Sequence, residues 1–375
     1  MAPHSVITRR AFSLGTLAAL AAPGMRAAGL PSLPHVSLGC FPTPVDHATR
    51  LGEHLGLSGL YIKRDDLGGQ PYGGSKLRKL EPLLGQALAQ KRKLVVTFGG
   101  VGSNQAVATS VYASRLGLKT LLLLLPQPPS AEVRENLLAD ARYGAELRMS
   151  PGQSGQRATA LHLAAARGET PYIIPMGASS PLGNSGFANA AHELAAQVRT
   201  GVLPEPDAIY IAMGTMGSAV GLALGLRAAG MKTHVVAVRA SNRGTSTSAR
   251  FFALSRRTAA FLHDHDAASS ARRLSPRDVT LDGRHLGRGY ALPTRKGRAA
   301  IALARRFANL ELEPVYTAKA LSALIDDAPR LKGKVVLFWN THNSRPLDLK
   351  GITPADLPRA FRGYFAGSHQ GGAAP

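Results

Sequence analysis

The chain is poor in cysteine, in carboxylates and in long apolar runs, and each shortage excludes something. One cysteine, Cys40, among 375 residues excludes an internal disulfide framework and a multi-cysteine metal site. It lies in SLGCFPTP, without the leucine that a lipid-attachment box carries three positions earlier, and reads as a core or surface thiol. Asp and Glu number 23 against 45 Lys and Arg, a net charge of +22. Such a balance raises the question of nucleic acid, because clustered basic residues neutralise phosphates. Here they are spread along the whole chain with no DNA- or RNA-recognition motif, so no nucleic-acid partner is expected. The composition suits solubility and the attraction of anionic substrates. Past the N-terminus no apolar run is long enough to span a bilayer, so no stable membrane insertion is expected, and no internal repeat recurs.

What is present begins with an export-like leader over residues 1–29. Arg9 and Arg10 form a positive start, Phe12 to Ala22 is apolar, and small residues follow. The pair in TRRAF resembles a twin-arginine signal, the route that carries proteins already folded. The expected destination is the periplasm, or the cytoplasm where the signal is not used, with cleavage between Gly24 and Gly29.

Beyond the leader, strand and helix patterns alternate. KLVVTFGG reads as a buried strand closed by glycines, and SNQAVATSVYASRLGL follows with helical spacing. TLLLLLP, PYIIPMG, DAIYIAMGT, HVVAVRAS and KVVLFWNT are further short apolar strands, each closed by turn or hydroxyl residues. Alternation of this kind predicts an α/β fold with a parallel sheet, whose ligands sit beyond the carboxyl ends of the strands. Residues 255–285 are polar and weakly patterned and read as a loop or mobile helix pair. HDH at 263–265 has metal-ligand residue types, but nothing nearby completes a ligand set, so a solvated charged face is expected and no metal. The end of the chain, 366–375, is expected to be disordered.

Three loops carry chemistry. In GGSKLRKLE, two glycines precede Lys76 at the mouth of a helix, a setting for an amine nucleophile, and Lys79 lies on the same helical face within reach of an anion. The plain alternative is a helix start with solvated lysines. In FGGVGSNQ the glycines at 99, 100 and 102 do not fit the dinucleotide pattern G-x-G-x-x-G. Ser103, Asn104 and Gln105 then stand at a helix N-terminus that favours anions, with ordinary capping by Ser103 or Asn104 as the alternative. In AMGTMGSAVGLALGL, a strand ends in Gly214, Thr215, Gly217 and Ser218 before a helix, the form of a phosphate cradle. It lacks the lysine of a nucleoside-triphosphate loop.

RDD, GGSKLRKLE, GGVGSNQ, the Gly/Ser loop, GRGYALP and EPVYTAKAL occur in one order over residues 33–345. In this the chain resembles the D-cysteine desulfhydrase and 1-aminocyclopropane-1-carboxylate (ACC) deaminase family of pyridoxal-phosphate enzymes. The resemblance implies a tryptophan-synthase-β-like fold (fold type II) of two domains, each with a mostly parallel central sheet flanked by helices. Residues 30–78 and 186–365 would form the large cofactor domain and 79–185 the small one. It also implies a homodimer. Lys76 would hold the cofactor as a Schiff base, and Asn104 would face its ring hydroxyl. Lys79, Thr215, Gly217 and Ser218 would hold its phosphate, and Thr317 would meet its pyridine nitrogen. Ser103, Asn104 and Gln105 would bind substrate, with Ser103, Tyr290 and Tyr316 as acid/base or positioning groups.

The family's deaminases resemble one another in a glutamate at the Thr317 position, which keeps the ring a strong electron sink. A neutral threonine makes a weaker sink, sufficient where a thiolate leaves. The resemblance therefore implies β-elimination of D-cysteine or a related amino acid to pyruvate, ammonia and hydrogen sulfide. The alternatives are ACC deamination to 2-oxobutanoate and ammonia, and an inactive exported amino-acid-binding protein. Two departures stand out: Met216 where the family tends to have glycine, which could narrow the phosphate pocket, and WNTHNSRP in place of an H-T-G-G type loop.

Overall fold

The computed structural model describes residues 33–150, 152–266 and 273–366. The expected leader lies outside the described residues, as do positions 367–375 of the expected tail.

The chain enters a larger sheet through β1 (Val45–His47), α1 (Thr49–Leu55) and β2 (Gly59–Lys63). It crosses over on α2 (Lys76–Ala89) to a smaller unit: β3 (Leu94–Gly100), α3 (Asn104–Arg115), β4 (Lys119–Leu125) and α4 (Ala131–Arg142), then β5 (Glu146–Met149), α5 (Gln156–Ala165) and β6 (Tyr172–Ile174). The long α6 (Pro181–Arg199) leads back to β7 (Ala208–Met213), α7 (Gly217–Ala228), β8 (His234–Arg239), α8 (Ser248–His265) and β9 (Val279–Asp282). The chain closes with α9 (Arg295–Ala308), α10 (Thr317–Asp327), β10 (Val335–Trp339) and the short α11 (Arg359–Arg362).

The large sheet has six strands in the order β1-β2-β10-β7-β8-β9, and the small one four in the order β5-β4-β3-β6. All neighbours are parallel except the β1–β2 pair. Parallel strands covered on both faces should be continuously apolar, and β3 and β7 are buried at every position. Alternation then divides the large core in two. Ile209, Ile211, Val235, Ala237, Leu337 and Trp339 pack with α6, α7 and α8, while Tyr210, Val236, Val238, Val336 and Phe338 pack with α9 and α10.

Two sequence expectations change. Residues 255–265 are the second half of α8, whose apolar Phe251, Leu254, Ala259 and Leu262 lie on the core, and 279–282 pair in parallel with β8. The charges between those apolar positions hid the helix period. At the other end, Leu357 and Phe361 bury against β4 and α4, so the segment assigned to the large domain finishes on the small sheet.

The helices that join the two sheets meet at a close contact. Pro82 inside α2 has no N–H to give the Arg78 carbonyl one turn back, and Gly186 of α6 comes against that carbonyl. A Cβ at Gly186 would lie 1.7 Å from the Arg78 oxygen.

Candidate active site

A cleft opens between the two sheets, at the carboxyl ends of their strands. Gly99, Ser103 and Asn104 after β3, Leu125 at the end of β4, Thr215 after β7, Ser241 after β8 and His342 after β10 all line it. Both sheets therefore present their loops to one space, as the parallel topology predicts.

Lys76 is the first residue of α2 and lines the cleft. Burial holds its amine below the usual lysine range, with Glu313 and Asp65 pulling the other way. A desolvated amine of this kind carries a larger neutral, nucleophilic fraction. Its helix is clamped two residues later. The Arg78 guanidinium donates to Asp65 Oδ2 and Oδ1 at 2.9 and 2.7 Å, and to Glu193 Oε2 and Oε1 at 2.9 and 3.0 Å. Lys63 donates to Glu193 at 2.6 Å, and the Trp339 indole N–H to Asp65 at 2.7 Å. Strand β2, the turn after it, α2, α6 and β10 are thus tied at one buried point behind Lys76.

Lys79 turns to an anion cradle. Its Nζ donates to the Gly177 carbonyl at 2.7 Å and the Ser179 hydroxyl at 2.9 Å. Ser179 in turn accepts from the Gly217 N–H at 3.3 Å and lies 2.6 Å from the Thr215 hydroxyl. Burial, then the neighbouring Lys76, push the Lys79 amine well below its usual range. Among the described residues no carboxylate pairs with it; its bonds go to a carbonyl and a hydroxyl. The Asn184 Oδ1 nearby is buried without a hydrogen-bond partner among the described residues. At Gly217 a Cβ would lie 2.2 Å from that oxygen and 2.6 Å from Lys79 Nζ, so only glycine lets the N-terminus of α7 approach. A helix N-terminus, a buried lysine amine that an anion would favour in its charged form, and three hydroxyls on Ser218, Thr215 and Ser179 fit a phosphate. Met216 adopts φ 70°, a left-handed turn that glycine would take without strain, and its side chain packs partly on the large core while lining the cleft.

Across the cleft, the Ser103 hydroxyl caps α3 by accepting from the Ala106 N–H at 3.2 Å, and its own proton stays available to donate. The Asn104 Oδ1 accepts from Asn136 at 3.2 Å, which leaves its Nδ2 to donate into the cleft. Gln105 also lines the cleft, yet its amide is engaged internally, by Thr97 at 3.1 Å and to Thr109 at 2.8 Å. Tyr290 and Tyr316 meet over the same space, Tyr316 Oη donating to Tyr290 Oη at 3.0 Å. Burial raises both phenols, Tyr316 the more strongly.

Thr317 is not among the cleft-lining residues. It is fully buried, and its hydroxyl donates to Glu313 Oε1 at 3.1 Å. Glu313 faces the cleft from this turn, its carboxylate accepting the backbone N–H groups of Val315, Tyr316 and Thr317 at 2.7, 2.8 and 2.7 Å. The carboxylate thus caps α10, a role the spacing E-P-V-Y-T could have suggested. Sequence reasoning also missed Ser179 and Asn184, although GASSPLGNS follows a strand as the other ligand loops do. Among the described residues no group of three His, Cys, Asp or Glu side chains could hold a metal, and no helix is long and apolar enough to cross a membrane.

Comparison with known proteins agrees with this geometry. The D-cysteine desulfhydrase of Yersinia enterocolitica is 32% identical over 324 residues, covering 83% of this chain and 94% of that one. The crystal structure of an ACC deaminase homologue superposes with a TM-score of 0.73 at 30% identity, covering 84% of this chain and 93% of the other. The crystal structure of a T.th. threonine deaminase shares the fold, with a TM-score of 0.57 at 21% identity over 82% of this chain and 94% of the other. A family profile described as pyridoxal-phosphate dependent enzyme matches residues 36–341. A desolvated lysine, an anion cradle and a match over residues 36–341 converge: this chain belongs to the pyridoxal-phosphate-dependent enzymes of fold type II.

Proposed function

We propose that the protein eliminates the β-substituent of D-cysteine or a close analogue, giving pyruvate, ammonia and hydrogen sulfide with uptake of one water. The observation that carries the reading is Lys76, a half-buried, desolvated amine lining one cleft with an anion cradle and a tyrosine pair. The 32% identity to a D-cysteine desulfhydrase supports the choice of substrate.

Pyridoxal phosphate, when bound, supplies the covalent hold on the substrate amine and the electron sink that acidifies its Cα–H. The chain does the rest. Lys79, Thr215, Gly217 and Ser218 would hold the phosphate, and the Asn104 Nδ2, left free by the Asn136 contact, would be available to the ring hydroxyl. The Lys76 amine, kept partly neutral by burial, accepts the Cα proton. Tyr316 and Tyr290, linked hydroxyl to hydroxyl and neutral at pH 7, hold a proton for the departing thiolate. Thr317 keeps its hydroxyl on Glu313, and the Glu313 carboxylate is itself taken by backbone N–H groups, so neither side chain would be free to assist a ring nitrogen strongly. A weakly assisted sink suits elimination of a good leaving group better than opening a cyclopropane.

The test is visible absorbance of the purified protein, wild type beside Lys76→Ala, before and after D-cysteine. A cofactor band lost or altered in the variant, and changed by D-cysteine with sulfide and pyruvate release, is the expected result. A band that answers to other amino acids and not to D-cysteine would move the substrate. No band after reconstitution would end the enzymatic reading. Export by the paired arginines and assembly as a homodimer are part of the same proposal; cell fractionation of an Arg9→Lys/Arg10→Lys variant and light scattering test them.

A further inference from the structure

The segment after β10 joins the cleft through contacts that the chemistry above does not use. Its backbone is fastened to the loop that carries Lys76. The Ser75 N–H donates to the Thr341 carbonyl at 3.2 Å, and the Gly73 N–H to Asn343 Oδ1 at 2.6 Å. Asn343 Oδ1 also accepts the Arg345 N–H at 3.1 Å, and the Asn340 side chain accepts the His342 N–H at 3.3 Å. These bonds leave little freedom to the side chains between them.

Four buried polar atoms on this fastened pair of loops have no partner among the described residues, on Ser75, Asn340, His342 and Arg345, and two of these residues face the cleft. Ser75 and His342 both line the cleft. Ser75 Oγ and His342 Nδ1 are both buried, and neither has a hydrogen-bond partner among the described residues. A buried polar atom without a partner costs about 1–3 kcal/mol, so an orphaned pair facing a ligand space marks a place where a ligand supplies the missing bonds. We propose that Ser75 Oγ and His342 Nδ1 form a two-point polar subsite beside Lys76 that recognises an oxygen-bearing β-substituent on the amino-acid substrate. The assignment rests on the elimination reading above and refines its substrate class.

Three features decide the chemistry of the ligand group. Burial keeps the His342 imidazole below its usual pKa, against the pull of Glu313 and Asp66, so it is neutral at pH 7 and offers a hydrogen bond rather than a charge. A hydroxyl and a neutral imidazole can donate to or accept from a hydroxyl, ether or ester oxygen, whereas a halide or an alkyl group leaves both unsatisfied. The substrate α-carboxylate is drawn elsewhere, to the N-terminus of α3 across the cleft with Ser103 and Asn104, because a helix N-terminus attracts an anion. That places the β-substituent on the Ser75 and His342 side.

The experiment compares O-acetyl-D-serine with β-chloro-D-alanine on the holoenzyme. Both have good leaving groups, and only the first presents oxygen to the subsite. The readout is the ratio of the two kcat/KM values, which cancels any general loss. The ratio is expected to fall about tenfold in His342→Leu, and a similar amount in Ser75→Ala. His342→Gln, which keeps a neutral donor and acceptor, is expected to regain most of it. A ratio constant within threefold across these variants would overturn the subsite, whatever happens to absolute rates. Should the wild type carry cofactor and eliminate neither compound, the elimination reading fails on its own. The subsite is then read by imidazole nitrogen NMR of the same holoenzyme, assigned by loss of the signal in His342→Gln. A shift of the His342 signal with D-serine and none with D-alanine supports it; an equal response to both overturns it.

Discussion

The Tyr316 hydroxyl donates to the Tyr290 hydroxyl at 3.0 Å, with ring centroids 6.1 Å apart in an edge-on arrangement. The two phenols come from different parts of the chain, one from the turn before α9 and one from the start of α10, and the fold brings them together at the cleft. Since each polarises the other, they act as one proton-holding unit. Tyr316→Phe is expected to lower kcat for D-cysteine elimination by about 10²- to 10⁴-fold while the cofactor band persists. The Tyr290→Phe/Tyr316→Phe double variant should lose little more than the worse single, because members of a unit are not additive. Steady-state kinetics on the three variants decide it; fully multiplicative losses would mean two independent roles.

Lys79 is expected to matter for cofactor affinity and not for the covalent bond. It supplies a buried amine to the cradle, and its hydrogen bond to a charged phosphate would be worth about 1.5–3 kcal/mol. Lys79→Met should therefore raise the Kd of pyridoxal phosphate roughly tenfold to a hundredfold, at about 1.4 kcal/mol per tenfold. The visible band should return at saturating cofactor, because Lys76 is intact. An absorbance titration of the apoprotein checks both halves.

The loops that line the cleft were legible in sequence for a physical reason. A Gly/Ser/Thr turn between an apolar strand and a helix is the cheapest way to bring backbone donors to an anion, and GTMGS and GGVGSN both have that form. The alternating apolar strands likewise predicted parallel pairing, while the division into two sheets followed only from the family resemblance. Illegible were contacts made across long stretches of chain. Ser179 reaches the cradle only because α2 and α6 pack together, with Pro82 and Gly186 at the contact. Glu313 faces the cleft and Thr317 turns inward because the carboxylate is drawn to the free N–H groups of α10, a preference that motif spacing alone did not rank. The strand at 279–282 hid inside a polar stretch because its neighbours on β8, not its own composition, bury it.

Glu193 should prove to be a structural support for the helix that carries Lys76. Its carboxylate takes Lys63 and both terminal nitrogens of Arg78, two residues beyond Lys76. Burial pushes it up, but Arg78 and Lys63 overcome that and hold it near a pKa of about 2. Removing one partner of a buried charge network costs about 3–5 kcal/mol, since the others stay buried and unpaired. Glu193→Gln is expected to lose stability of that order in chemical denaturation. A loss under about 1 kcal/mol would show that Asp65 alone satisfies Arg78. The depressed pKa also sets a pH window: the contribution is present above about 4.5 and is lost as pH falls toward about 2.

Asp140 gives the opposite slope. It lies buried on α4, accepts the Ser110 hydroxyl at 2.7 Å, and is pushed by burial to about 8. The folded protein therefore keeps this proton where the unfolded chain, at about 3.8, has already released it. Between those values the native state binds more protons than the unfolded one, so the stabilisation is full below about 3.8 and is lost as pH rises through about 8. Asp140→Asn keeps the shape and removes the titration. Its Tm relative to wild type is expected to climb steadily from pH 5 to pH 8.5, as the wild type alone loses stability. A Tm difference that stays constant over that range would mean that the carboxyl is already ionised in the native state. The same residue sits one turn after Asn136, which donates to Asn104 at 3.2 Å. Ionisation of Asp140 is therefore expected also to disturb Asn104, so that cofactor affinity falls between pH 5 and pH 8.5 in wild type and falls less in Asp140→Asn.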